Sequence, residues 1–103
     1  YVKDVVRVIY WFMRHLPSSG IYNLGTGRAE SFLTLATSTF KALHLEPSIE
    51  FVDIPEDIRG KYQYFTQAEM KKMRSAGYGR PFYNLEKGTH SYVTRYLAKD
   101  IVY

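Results

Sequence analysis

From Asp4 to Leu16 the apolar positions fall at helical spacing. Val5, Ile9, Phe12 and Leu16 form one stripe, and Val6 and Met13 widen it. The pattern predicts an amphipathic helix with Asp4 as its N-cap, ended by Pro17-Ser18-Ser19-Gly20. Val8 and Trp11 carry apolar surface onto a further side. A helix of that kind is sandwiched between layers or awaits a partner. Gly20 to Leu24 (GIYNL) reads as a short strand, Gly25-Thr26-Gly27 as a turn, and Ser31 as the cap of a second helix. That helix presents Phe32, Leu35, Ala36, Thr39, Phe40 and Leu43 on one face. After Pro47, the run Ile49 to Ile54 (IEFVDI) alternates roughly apolar and polar and reads as a second strand. Helix, strand, helix, strand in this order predicts a right-handed crossover and a small parallel sheet.

Pro55 opens a polar loop, Glu56 to Gly60, which leads into Gly60 to Glu69, GKYQYFTQAE. Thr66 and Glu69 stand at capping-box spacing and predict a helix running from there to Ala76. Gly77 fits the left-handed position after a helix, and Tyr78 fits the hydrophobic contact that follows it. Gly79, Arg80 and Pro81 make a turn. Asn84 then caps a last helix that carries Leu85, Gly88, Tyr92, Val93, Tyr96 and Leu97 toward the core. The expected fold class is α/β, with helices covering a very small parallel sheet.

Composition narrows the function. A length of 103 residues suits one domain or a piece of a larger one, and 46% hydrophobic with 23% charged residues can bury a core. The chain opens on Tyr1 inside what reads as a structural unit, so a fragment is expected. Aromatics reach 17%, and ten are tyrosines, whose apolar ring and polar tip suit boundaries and ligand sites. The net charge of +4 comes from scattered basic residues, which argues against a nucleic-acid surface. Without cysteine there is no disulfide or thiolate-metal framework, and His15, His44 and His90 have no metal-ligand spacing. No apolar run approaches a membrane span and no signal peptide is present, so a cytoplasmic protein is expected.

The aromatic loop is the main candidate site. Tyr62, Tyr64 and Phe65 lie just ahead of the capping threonine, with Arg59 and Lys61 flanking Gly60. A guanidinium and an ammonium beside a phenol can neutralise a diphosphate while the ring packs on a sugar or base. Arg28 is a second candidate for the same anion. Gly25-Thr26-Gly27 has the setting of a phosphate turn, but the third glycine of a dinucleotide fingerprint is replaced by Glu30, so a tight turn is the better reading. Tyr83 and Lys87 repeat the spacing of a dehydrogenase tyrosine–lysine dyad without its nucleotide-binding context and read as a chance match. Asp53, Glu56 and Asp57 read as a solvated acidic run. Tyr92 and Tyr96 read as core or subunit contact.

The runs YVKDV, GIYNLGTGRAESF, GKYQYFTQAE and RSAGYGRPF closely resemble the C-terminal third of the ADP-glyceromanno-heptose 6-epimerase family. These enzymes are extended short-chain dehydrogenases/reductases acting on a nucleotide sugar. The resemblance extends from Tyr1 to about Leu97. It implies that residues 20–103 form the substrate-binding C-terminal domain, and that the helix in 1–19 packs on a missing N-terminal NADP-binding Rossmann domain. It further implies an enzyme that uses NADP to oxidise C6 of the ADP-heptose transiently and returns the hydride to the opposite face, for the lipopolysaccharide core. A homo-oligomer is implied as well. Tyr62 matches the family's substrate-contacting tyrosine, with Arg59 and Lys61 beside it. Lys61 stands where arginine is common, which puts a bidentate contact there in question. Tyr64 and Phe65 are then expected to pack the loop onto its helix. The cofactor and catalytic residues belong to upstream sequence, so these residues alone are expected to be inactive. Another nucleotide-sugar epimerase or dehydratase, and a stand-alone tyrosine-rich binding module, are the alternatives.

Overall fold

The computed structural model describes residues 1–99, and Asp100 to Tyr103 lie outside them. The described chain is helical: α1 (Val2–His15), α2 (Phe32–Ala42), α3 (Glu56–Arg59), α4 (Lys71–Ser75), α5 (Leu85–Arg95) and a 3-10 turn, Leu97–Lys99. Among the described residues there is no strand, so the expected parallel sheet is corrected to an all-helical arrangement with long irregular connections. Residues 20–24 and 49–54 are irregular and form no ladder, and Ile21, Phe51 and Val52 are exposed. Alternating polarity favours extended backbone, yet a strand exists only when a neighbour takes its hydrogen bonds. Here side chains take that role in part. Lys72 Nζ donates to the Ile21 carbonyl at 2.9 Å and sits 4.4 Å from the centre of the Tyr22 ring.

α1 starts one turn earlier than its pattern suggests, with Tyr1 at the N-cap position. Asp4 is buried inside the first turn, where it accepts from Arg7 and, at 3.0 Å, from the backbone N–H of Tyr83. The carboxylate therefore ties α1 to the entrance of α5. Tyr1 reinforces the joint, with its ring edge-on to Tyr83 at 5.1 Å and its hydroxyl 2.9 Å from Ser91 Oγ. α1 ends at Leu16, which is left-handed at φ 42°, immediately before Pro17.

One side of α1 builds the core. Val8 is buried with Met70, Met73 and Tyr78, and Trp11, Phe12, Tyr22, Ala68 and Phe82 pack around them. The rings interlock edge-on, Trp11 with Tyr78 at 5.5 Å and Phe12 with Tyr22 at 4.8 Å. The opposite side stays bare. Val2, Val6, Ile9, Met13 and Leu16, spaced alternately four and three residues apart, are all exposed. The Gly77–Tyr78 turn forms as its sequence requires, with Gly77 at φ 104° and the Tyr78 N–H on the Met73 carbonyl at 3.3 Å.

Tyr78 is wholly buried, and its hydroxyl has no hydrogen-bond partner among the described residues. A buried phenol without a partner keeps its desolvation cost, so Tyr78→Phe is expected to raise stability, by up to about 1 kcal/mol. Chemical denaturation checks the sign. A loss of stability on removing the hydroxyl would mean that a buried water satisfies it.

α2 and α5 pack together as a second layer, burying Ser38, Ala42, Gly88 and Val93. Both N-caps are those the sequence predicts. Ser31 Oγ accepts the Thr34 N–H at 3.0 Å, and Asn84 Oδ1 accepts the Lys87 N–H at 2.9 Å.

Candidate functional site

The aromatic loop begins as helix rather than coil. Glu56 and Asp57 occupy the first turn of α3, where carboxylates complement the helix dipole. Arg59 closes that turn, with Nη2 donating to the Ile54 carbonyl at 3.2 Å. One of its donors is thus committed to the loop's own backbone, and the guanidinium is held beside the residues it flanks. The Lys61 N–H continues the turn onto the Ile58 carbonyl at 2.9 Å, while its ammonium has no partner among the described residues.

Tyr62 is 37% exposed and lies edge-on to Tyr64, ring centres 5.2 Å apart. Its hydroxyl has no hydrogen-bond partner among the described residues, so a phenol held by ring contact offers a free donor and acceptor. Arg59, Lys61 and Tyr62 thus occupy one short loop, with the lysine and the phenol both available. Tyr64 and Phe65 are largely exposed, so neither packs the loop onto a helix as expected; Tyr64 instead props Tyr62.

The capping box is not made. Thr66 Oγ1 reaches only Gln63 Oε1, at 3.5 Å, and Glu69 Oε1 accepts the Lys71 N–H at 2.9 Å. α4 consequently begins at Lys71. The cause lies across the chain. A Cβ at Gly25 would stand 2.9 Å from Ala68 Cβ, and one at Gly27 would stand 3.3 Å from Met70 Cγ. Asn23 Nδ2 also donates to the Glu69 carbonyl at 3.4 Å. The segment before α4 is therefore laid along the glycine turn, and that contact replaces its first helical turns.

Arg28 lies elsewhere. It lines a groove of about 770 Å³ together with Arg74, Tyr83, Asn84 and Tyr92, and none of Arg59, Lys61 or Tyr62 lines that groove. Arg74 there is committed to the Tyr78 and Arg80 carbonyls, at 2.9 and 3.0 Å. Tyr83 and Lys87 share no hydrogen bond; the Tyr83 ring packs on Tyr1 and lies 5.3 Å from the Arg7 guanidinium. Among the described residues no group of three or more His, Asp or Glu is placed to hold a metal ion, and no helix is long and apolar enough to cross a membrane.

No protein-family model matches the chain. Individual proteins do. The chain is 48% identical over 98 residues to the ADP-L-glycero-D-manno-heptose-6-epimerase of Nitratidesulfovibrio vulgaris strain Hildenborough, covering 95% of this chain and 30% of that protein. To the protein of the same name from Fusobacterium nucleatum subsp. nucleatum it is 42% identical, covering 100% of this chain and 33% of that one. Over nearly its whole length the chain is similar to proteins of that name. It spans about a third of the length of the curated relatives it matches. The structural features described above lie almost wholly within the matched region, the Tyr62 loop among them.

Proposed function

We propose that these residues are the substrate-binding C-terminal part of an ADP-L-glycero-D-manno-heptose 6-epimerase, an isomerase that inverts C6 of ADP-D-glycero-β-D-manno-heptose. The observation that supports this best is the Tyr62 loop, whose phenol and neighbouring Lys61 ammonium have no partner among the described residues, in a chain 48% identical to a protein of that name. Tyr62 donates to the sugar nucleotide, Lys61 supplies a point charge to its diphosphate, and the remaining donors of Arg59 add to that field.

The epimerisation passes through a transient oxidation at C6 that NADP supplies, but these residues do not fit that cofactor. The glycine turn is filled by Ala68 and Met70, and Ser31 already takes one of the first orphan amides of α2, that of Thr34. The dinucleotide and the catalytic acid–base residues belong to the remaining two-thirds of an enzyme of this family's length. On this reading the bare stripe of α1, Val2, Val6, Ile9, Met13 and Leu16, packs on that nucleotide-binding domain, whose apolar surface would otherwise face water. The 103 residues alone are inactive, and the enzyme works in the cytoplasm as a homo-oligomer.

Tyr62→Phe in the whole epimerase tests the role of the loop. Removing one hydrogen bond of roughly 1 kcal/mol is expected to raise the KM for ADP-heptose about 3- to 10-fold, with kcat changed by less than about 2-fold. Steady-state kinetics indistinguishable from the parent enzyme would remove Tyr62 from the site.

A further inference from the structure

A second groove, of about 430 Å³, lies between α2 and α5, and neither the Tyr62 loop nor the glycine turn lines it. Its volume lies within the range of small-molecule pockets. Its walls carry Lys41, Lys87, Arg95 and His90 against a single carboxylate, Glu86. None of the three permanent cations has an ion-pair partner among the described residues. Lys41 and Arg95 stand in the last turns of their helices, where a cation complements the dipole. Lys87 does not. It is the third residue of α5, where a positive charge opposes the dipole, so helix stability gives it no reason to be basic.

The groove also contains Ser38, only 7% exposed and without a hydrogen-bond partner among the described residues. Its neighbours in α2 behave otherwise: Thr37 and Thr39 turn their hydroxyls back onto the Leu33 and Leu35 carbonyls, at 2.9 and 3.0 Å. A serine hydroxyl that makes no internal hydrogen bond and faces a groove lined by cations can donate to an anion held there. Ala42 adds an apolar side to the same groove.

We infer that this groove binds a phosphate-bearing small molecule, with Ser38 donating to a phosphate oxygen and Lys41, Lys87 and Arg95 neutralising its charge. It is a second anion site, independent of the proposed heptose-nucleotide loop. The probe is inorganic pyrophosphate, titrated calorimetrically at low salt into the intact chain that carries these residues. Saturable binding is expected, weakened about 10-fold or more by Lys87→Glu and about 3-fold by Ser38→Ala, with added salt weakening it further. Helical circular dichroism confirms that each variant is folded, and Lys41→Gln gives a milder second reading of the same field. Absence of binding up to about 10 mM, or binding by Lys87→Glu and Lys41→Gln as tight as by the parent, overturns the site. So does loss of binding in Tyr62→Phe alone, which places the anion at the loop. The epimerase reading is judged separately, on the KM for ADP-heptose.

Discussion

Asp4→Ala is expected to lower stability by about 3 kcal/mol, because one buried carboxylate holds two elements that are 79 residues apart in sequence. Its Oδ2 takes the Tyr83 N–H and its Oδ1 takes the Arg7 guanidinium. Truncation leaves a part-buried amide without an acceptor and a guanidinium whose Nε is already buried without a partner among the described residues. Arg7 is more than a third exposed, so water recovers part of its loss, and the figure is placed at the low end of the range for breaking a buried ion pair. Asp4→Asn keeps an acceptor for Tyr83 and discards the charge, so roughly half the loss is expected. Trp11, the single tryptophan, packs on Tyr78 and reports unfolding by its fluorescence in urea. An Asp4→Ala protein within about 0.5 kcal/mol of the parent would show that the carboxylate does not join α1 to α5.

Met73→Ala is the second large effect, about 2–5 kcal/mol. Met73 is 2% exposed at the centre of the cluster formed by Val8, Met70 and Tyr78, and it leaves a cavity that large rings close only partly. Met73→Leu conserves most of the volume and is expected to cost less than about 1.5 kcal/mol. Met13→Ala, on the bare side of α1 at 70% exposure, is the matched control, expected within about 0.5 kcal/mol in the isolated chain. A substantially larger cost of Met13→Ala in a protein of the relatives' full length would mean that the bare side is covered there.

Features decided within a few residues were legible in the sequence. Ser31 and Asn84 cap the helices they precede, Gly77 takes positive φ, and α1 forms over the stretch whose apolar spacing is helical. Each rests on a local hydrogen bond, a single dihedral or a helical period, so neighbouring residues suffice to fix it. The resemblance to the epimerase family was legible as well, because four long runs keep their order and spacing.

Tertiary structure decided the rest. Residues 20–24 and 49–54 have the alternation of strands but no ladder, because pairing depends on a neighbour's backbone that alternation cannot supply. The Thr66–Glu69 spacing is that of a capping box. Close packing of Ala68 on Gly25 and Met70 on Gly27 nonetheless holds that stretch out of the helix. Asp4 has the composition of an N-cap, but Tyr83, far along the chain, makes it a buried acceptor instead. The same distinction applies to the sites. The sequence placed Arg59, Lys61 and Tyr62 together because they are adjacent. Only the packing of α2 on α5 brought Ser38 and Lys41 to Lys87 and Arg95, because side chains remote in sequence meet where helices pack.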